Sequence, residues 1–555
     1  MQKKLKIARR LSELLLCATV AGSALAQQPP ETTGDPRQRP AAVQAPAPAA
    51  APVARKSPAP PGAEQKTLTV SRFVFNGNSV FKSEELAALV AGYTGKPVTL
   101  AQVFEAADKV AEKYVAAGYT LASVTLPAQK IADGTVQLEV IEGRLAAVNV
   151  EGNQRYRSDQ IARQLGVFTP GQLYRGADIE SGLYRVNAMP GLTARAVLQP
   201  GNSYGSSDLL IKVQEQSWTA SLAGDNYGRE QLGEYRGSLS ATLNNPFRAA
   251  DQLQAVLMNT QGGRLQYYYI GYSLPFGTTG LRLGLSHGQG EFGLAGVPVQ
   301  GKNQTTRASL DYLFADSRFD TLGVGFGAVK TKANADLVGQ QISESDITLF
   351  ELSGFHNHLF GNRAASQTSL VLSSDLGQGE ETPDPSARTK QDLRAELDVQ
   401  FLYPLRERLS AYVHGNVVHS ADPLPQVTHA SLGGPNSVRA YPAAEVRGDR
   451  SLFGSMGVRQ ALNSGRAEWG LRAFVEGGQV TDLAEPNGQP EYRETLSGAG
   501  IGLDFGMPVG SSRISAKADW SVPLDNHNDS FGSGGQHDAS TDDNQRLFAT
   551  VSVSY

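Results

Sequence analysis

The eight histidines are the side chains most open to metal or acid–base chemistry, and they are scattered along 555 residues. His356 and His358, two apart, share one face of any strand that holds them, which makes them a metal pair in principle. No third ligand stands at a useful spacing, so an interfacial or lumenal role is the preferred reading and no metal is expected. Gly498, Gly500 and Gly502 suggest a phosphate loop, but no helix or βαβ unit follows, which argues against nucleotide binding. The stretch from His537 to Asp543 gathers hard oxygen ligands that suit calcium, although a solvated external loop explains it as well. The single cysteine, Cys17, lies in an amino-terminal apolar run, so thiol chemistry is closed to the mature chain. No convergent nucleophile, base and orienter emerge. Neither an enzyme nor a cofactor is expected.

The more informative chemistry is ionic. The segment from Ser431 to Tyr441 is glycine-rich and carries one arginine, Arg439, flanked by Val438 and Tyr441. Read alone it is a mobile surface loop. Alternation downstream puts Trp469, Leu471, Ala473 and Val475 on one strand face, leaving Arg472, Phe474 and Glu476 on the other. In the next strand Ala499, Ile501 and Leu503 share the first face, which puts Gly498, Gly500 and Gly502 on the second. Three positions without side chains make a groove. We therefore expect the loop to fold inward, with Val438 and Tyr441 on the glycine strip and Arg439 paired with Glu476, or with Asp504 as a second candidate. The alternative is an exposed arginine and unrelated glycines.

The elements that position these residues begin after a leader. Lys3, Lys4, Lys6, Arg9 and Arg10 precede an apolar run ending in Ala24-Leu25-Ala26, the pattern of a cleavable signal peptide over residues 1–26. Residues 27–67 are Pro- and Ala-rich and cannot bury a core. An internal repeat follows: Phe73 to Leu86, with Gly77, Asn78 and Ser83, aligns without gaps on Val148 to Ile161, with Gly152, Asn153 and Ser158. Both copies read as βααββ, over 68–143 and 144–217. In the first, Thr99 and Gln102 form a capping box and Gly118 ends the helix. Tyr119, Thr120, Leu121, Ala122, Ser123, Val124, Thr125 and Leu126 read as an edge strand.

From 218 to 555 helical periodicity disappears, and about sixteen segments of roughly ten residues alternate apolar and polar, as transmembrane barrel strands do. Leu393, Ala395, Leu397, Val399 and Phe401 alternate with Arg394, Glu396, Asp398 and Gln400, one set suited to lipid and the other to water. Ile514 to Val522 and Leu547 to Tyr555 repeat the pattern. Soluble β-sandwiches alternate too, so loop lengths decide. Connections after even strands are short, such as Pro275 to Gly280. Those after most odd strands are expected to be long: His287 to Lys302, Thr331 to Glu344, Gln378 to Gln391, His419 to Arg450 and Asp525 to Asn544. An even strand number returns both barrel ends to the periplasm. The composition, 40% hydrophobic with 59 glycines, fits such a barrel, and a net charge of −4 points away from nucleic acid.

These residues resemble the TpsB transporters of two-partner secretion, the group of haemolysin and filamentous haemagglutinin secretion and activation proteins, from about Leu68 to Tyr555. The repeats are similar to two POTRA domains. Pro190-Gly191 and Gln199-Pro200-Gly201 resemble the second of these, and Asp225-Asn226-Tyr227-Gly228 with Asn245-Pro246 resembles the start of the family barrel. Val438-Arg439-Ala440-Tyr441 resembles the family's Val-Arg-Gly-Tyr loop, and Phe474-Val475-Glu476 its Phe-x-Asp strand; each departs by one residue. The family's amino-terminal plug helix has no evident counterpart here.

The resemblance implies an outer-membrane pore that takes an unfolded, secreted TpsA-type exoprotein from the periplasm and exports it without ATP. The implied partners are that exoprotein, outer-membrane lipid and the barrel-assembly machinery. Cargo would add to the edge strand Tyr119 to Leu126, and a lumen lined by Arg394, Glu396, Asp398, Arg459, Lys517 and Asp519 would keep it wetted. Phe548 and Tyr555 would belong to the carboxy-terminal insertion signal. A barrel insertase of the same superfamily is the nearest rival, a passive porin the next, and a soluble adhesin or enzyme the third.

Overall fold

The computed structural model describes residues 67–131, 133–166, 169–317, 319–376, 380–382, 393–484, 490–524 and 545–555. The expected signal peptide, nearly all of the leader and the stretch from His537 to Asp543 lie outside them. The described residues form two compact units, one ending at Gln216 and the other running from Ser217 to Tyr555.

In the first unit each repeat folds around a three-stranded mixed sheet with the same topology. Arg72–Asn76 runs parallel to Thr135–Ile141, which pairs antiparallel with Ser123–Thr125. The second copy places Arg144–Glu151, Ser206–Glu215 and Leu192–Pro200 in the same order. Two helices cover each sheet: Ser83–Val90 and Leu100–Ala116, then Ser158–Gln164 and Gly176–Asn187. Val103, Ala107, Val110 and Tyr114 recur at helical spacing and are buried against Val136 and Leu138 of the sheet. Both bonds of the Thr99–Gln102 capping box are present.

The repeated Gly-Asn turn has one physical design. Gly77 and Gly152 hold φ of 84° and 91°, and an added Cβ would meet the carbonyl oxygens of Val140 and Val213 at 2.4 and 2.3 Å. Only glycine fits there. Asn78 and Asn153 donate to the carbonyls of Phe81 and Tyr156 at 2.9 and 2.8 Å. A glutamate just beyond the next sheet strand, or at its last residue, then accepts the exposed turn amides. Glu142 takes those of Ser79 and Val80, and Glu215 those of Gln154, Arg155 and Tyr156.

Burial pushes the Glu142 carboxyl up, but the Ser79 hydroxyl, the Val80 and Ser79 amides and the Tyr114 hydroxyl outweigh it and hold the group below the usual glutamate value. A carboxyl lowered on folding stabilises above its free-chain value, and that stability drains away as pH falls through the folded value. Glu142→Gln is expected to weaken these contacts by about 1.5–3 kcal/mol, the range for hydrogen bonds to a charged group. Protection of the Ser79 and Val80 amides from exchange should then fall at neutral pH, and in the parent it should fall as pH drops through the lowered folded value of Glu142.

The first copy differs from expectation at its edge. Only Ser123–Thr125 is strand, while Tyr119 to Ala122 forms a turn closed by the Ala122 amide on the Tyr119 carbonyl at 3.0 Å. The neighbouring repeat explains the shortening: Arg175 lies 5.7 Å from the centre of the Tyr119 ring, and the Gly176 amide donates to the Gly118 carbonyl at 3.2 Å. A short ladder of Thr67–Thr69 with Pro97–Thr99 was not foreseen.

The second unit is a closed antiparallel barrel of seventeen paired segments. Two of them, Ala365–Ser374 and Glu380–Thr382, lie end to end beside Gln340–Leu359 and make one strand, which gives sixteen. Neighbours in sequence pair throughout, and Arg546–Ser554 closes the ring on Trp218–Asp225. At that seam the Asn226 side chain prolongs the ladder by donating to the Leu547 carbonyl and accepting the Ala549 amide, both at 2.7 Å. The outer wall is apolar: Leu222, Leu257, Leu352, Leu452, Ile501 and Leu547 are all more than half exposed. Such a surface needs lipid to cover it.

Two of the expected long loops are not loops. His287 to Lys302 and Thr331 to Glu344 belong to hairpins whose ladders continue, Leu281–Gly293 with Val299–Asp316 and Asp320–Leu337 with Gln340–Leu359. The turns themselves are only 294–298 and 338–339. Polar outward positions such as Lys330, Lys332 and Asp346 erased the apolar alternation where the strands rise beyond lipid, but they pair across the ladder instead, at 3.1 and 2.9 Å. The loop 421–449 is long, as expected.

Candidate functional site in the barrel lumen

The loop between the eleventh strand, Leu409–Ser420, and the twelfth, Arg450–Ser464, is a hairpin of its own. Ala430–Leu432 pairs with Val446–Gly448. Gly433 and Gly434, with φ of 101° and 99°, turn the chain into a tip that holds Val438, Arg439, Ala440 and Tyr441. This tip is buried: Val438, Ala440 and Tyr441 cluster with Phe453, Val480 and Leu496 of the wall.

Strand register explains why the wall can receive it. Glu476, Phe474 and Arg472 of the thirteenth strand, Ala467–Asp482, stand opposite Gly498, Gly500 and Gly502 of the fourteenth, Tyr492–Val509. Each glycine leaves space for a particular neighbour. A Cβ at Gly500 would come within 2.5 Å of the Phe474 ring, and one at Gly502 within 2.3 Å of Asp519 and 2.9 Å of Arg472. At Gly498 it would meet Ala440 at 2.7 Å and Val438 at 3.6 Å. The glycine strip therefore takes wall side chains along most of its length and the loop only at Gly498. Ala440, rather than Tyr441, occupies that last place.

Arg439 is held on every side. Its Nε donates to one carboxylate oxygen of Glu476 at 2.9 Å, its Nη2 pairs with the same oxygen, and its backbone amide donates to the other at 2.9 Å. The guanidinium lies 3.4 Å from the Phe474 ring centre, a stacked cation–π contact. The Arg439 carbonyl accepts from the Ser521 hydroxyl at 2.7 Å. Arg439 and Glu476 are only 6% and 5% exposed, so the pair is desolvated and depends on this full set of partners. Ala440 keeps a negative φ, which is why alanine can stand where the family has glycine. Glu476, one methylene longer than aspartate, uses its two oxygens separately for side chain and backbone.

The second acidic partner is Asp519 and not Asp504. Asp519, on the fifteenth strand Ser512–Pro523, lies 3.4 Å from Arg439, 3.0 Å from Arg472 and 3.4 Å from Lys517. Asp504 sits one lumen position further along, two residues beyond Gly502, and pairs with Arg459 and Arg472 at 3.3 and 3.0 Å. The signal for Asp519 was its register opposite Gly502, which sequence alone does not fix. Elsewhere the lumen carries paired charge, including Arg394 with Glu396, Asp398 with His414, and Arg307 with Glu351. Val427, at the loop's other end, packs on Val329, Ile347 and Leu349.

Phe548 is 2% exposed and packs edge-on against Tyr227 at 5.6 Å, while Tyr555 is 46% exposed and stacks on Trp218 at 4.5 Å. They lie on opposite faces of the last strand. The edge strand of the first repeat is reduced to three residues. In the second repeat the edge is Leu192–Pro200, nine residues long, with Val197 and Leu198 exposed. Its first half is occupied, because the Asn187 side chain bonds both the amide and the carbonyl of Ala194.

A lipid-coated barrel of sixteen strands, with a water-compatible lumen, a loop tied inside it and two α/β repeats ahead of it, defines an outer-membrane transport pore. The comparisons narrow this class. The sequence model described as "Haemolysin secretion/activation protein ShlB/FhaC/HecB" matches residues 205–505, and "POTRA domain, ShlB-type" matches residues 68–143. The chain belongs to the haemolysin secretion/activation protein family. It is a two-partner secretion transporter of the bacterial outer membrane, with its POTRA repeats in the periplasm.

Among similar proteins are the outer membrane transporter CdiB of Dickeya dadantii (strain 3937), 25% identical over 463 residues and 80% of each chain, and the hemolysin transporter protein ShlB of Serratia marcescens, 24% identical over 78% of this chain and 79% of that one. The solved structure of CdiB from Escherichia coli superposes with a TM-score of 0.65 over 99% of this chain and 98% of that one, at 20% identity. BamA from Haemophilus ducreyi lacking POTRA domains 1–3 gives 0.52 at 15% identity over 88% and 100%; it shares the fold.

Proposed function

We propose that this transporter captures an unfolded exoprotein by strand addition at the sheet edges of its two POTRA repeats, and that the loop held by Arg439 and Glu476 keeps the pore competent for export. The observation that carries the second half is the buried Arg439 cluster, in which one loop residue engages Glu476, Phe474, Ser521 and Asp519 on two wall strands. So costly a desolvated site argues for a loop position that matters.

Extended peptides add to exposed sheet edges through backbone hydrogen bonds with loose sequence demands, which suits a chain that arrives unfolded. The two edges are Ser123–Thr125 and the outer half of Leu192–Pro200. The exported partner would be a large exoprotein, an adhesin or a haemolysin, in keeping with the haemolysin and haem/hemopexin transport named for relatives. Paired charges along the lumen would keep the passing chain wetted, and folding outside would bias travel without ATP. Residues 1–26 would serve as signal peptide and 27–67 as leader, ahead of repeats at 68–143 and 144–217 and a barrel at 218–555. Tyr555, outward and interfacial, suits the insertion signal read by the barrel-assembly machinery, whereas buried Phe548 suits the seam. The proposed role is transport, not catalysis.

A photo-crosslinking side chain at Leu198 tests the capture step. It is expected to trap the exoprotein in cells, while the same group at exposed Asp159 of the same repeat should not. Equal trapping at both positions, or none at Leu198 during active export, rejects this edge.

A further inference from the structure

We infer that Asp320, His356 and His358 form a divalent transition-metal site of the zinc type on the outer face of the barrel, at its periplasmic end. His356 and His358 lie two apart on Gln340–Leu359, so both rings project from one face, and Asp320 is the cross-strand partner of His358 on the neighbouring strand. One carboxylate oxygen of Asp320 lies 3.2 Å from His356 Nε2 and 2.5 Å from His358 Nδ1. All three ligand atoms fall within 4.8 Å of one another. With metal–ligand bonds of about 2.0–2.2 Å, the edges of a zinc tetrahedron are about 3.3 Å, so the His356 edge already fits and the His358 edge must open by under about 1 Å.

The scaffold favours a fixed set. The two imidazoles are carried on a strand and the carboxylate sits directly across the ladder, so backbone pairing holds the spacing. Phe360 packs edge-on against His358 at 4.3 Å and limits its rotation. The set is also open. The three side chains are 44%, 47% and 28% exposed for Asp320, His356 and His358, which leaves room for water or another oxygen donor to complete the shell.

His356 and His358 share strand parity with Phe350 and Leu352 on the outer wall, and the short turn 317–319 lies next to Asp320. Exposed Phe319, Phe360 and Tyr403 mark this level as the aromatic belt at the membrane surface. A metal here would staple the seventh and eighth strands where lipid headgroups begin. A second cluster, His429 with Asp449 and Asp482, is less suited, because the Asp449 oxygens already accept the amides of Leu424 and Leu483 at 2.5 and 2.7 Å.

The test uses the full chain in detergent, purified without a polyhistidine tag, stripped with chelator, loaded with zinc and desalted. The parent is expected to retain one zinc more per chain than His356→Ala/His358→Ala, with both still shifting on a gel when heated. Asp320→Asn should weaken binding by at least about tenfold, since loss of even an outer-shell partner costs about 10–100-fold. Should the double variant misfold, the single change His356→Gln gives the same comparison. Equal zinc in parent and variant, no zinc in the parent, or unchanged affinity in Asp320→Asn overturns the site.

Discussion

Arg439→Ala is expected to stop export of the partner while leaving a folded barrel in the outer membrane. The truncation strands the Glu476 carboxylate, nearly inaccessible to water, without the guanidinium that faces it, and leaves Asp519 with Arg472 and Lys517. Breaking a buried pair by removing one partner costs about 3–5 kcal/mol. That amounts to about 150- to 4,000-fold in the ratio of docked to released loop. The barrel should survive because its ladder of sixteen strands does not pass through Arg439. Exoprotein in the medium, normalised to heat-modifiable barrel, is the readout. Normal export by the variant would remove the loop tip from the mechanism.

The second large effect belongs to Glu476. Glu476→Arg sets a second guanidinium beside Arg439 and removes the acceptor of the Arg439 amide, so export should fall as far as in Arg439→Ala. Glu476→Asp keeps a carboxylate that reaches the Arg439 guanidinium or the Arg439 amide but not both, and loss of one charge-assisted bond costs about 1.5–3 kcal/mol, a partial defect. The exchange Arg439→Glu/Glu476→Arg should not restore export. Arginine at 476 cannot accept a backbone N–H, and glutamate at 439 would face Asp519. Equal export from the Asp and Arg variants, or full rescue by the exchange, contradicts the ionic fork.

Much of this architecture was legible in the residues. The repeat was readable because Gly77 and Gly152 each sit against a backbone carbonyl, and Asn78 and Asn153 each close the same turn. The Arg439–Glu476 contact followed from strand parity, which alternation fixes once one face is known to meet lipid. Parity does not fix register, however. The choice of Asp519 over Asp504 depends on which residue stands opposite Gly502, and the third ligand Asp320 depends on a pairing across 36 to 38 residues. The strands of the long hairpins were read as loops because, above the lipid, alternation of lysine and aspartate with small residues carries no hydropathy signal. Tyr119 to Ala122 looked like strand from its β-branched and aromatic content, yet packing against Arg175 and Gly176 of the next repeat bends it into a turn.

The most direct test places this chain in cells as the sole two-partner secretion transporter, beside an exoprotein of the TpsA type. The exoprotein is expected to reach the medium intact, and to remain in the periplasm when the barrel is missing. An inserted, heat-modifiable barrel that leaves the exoprotein in the periplasm would contradict this expectation.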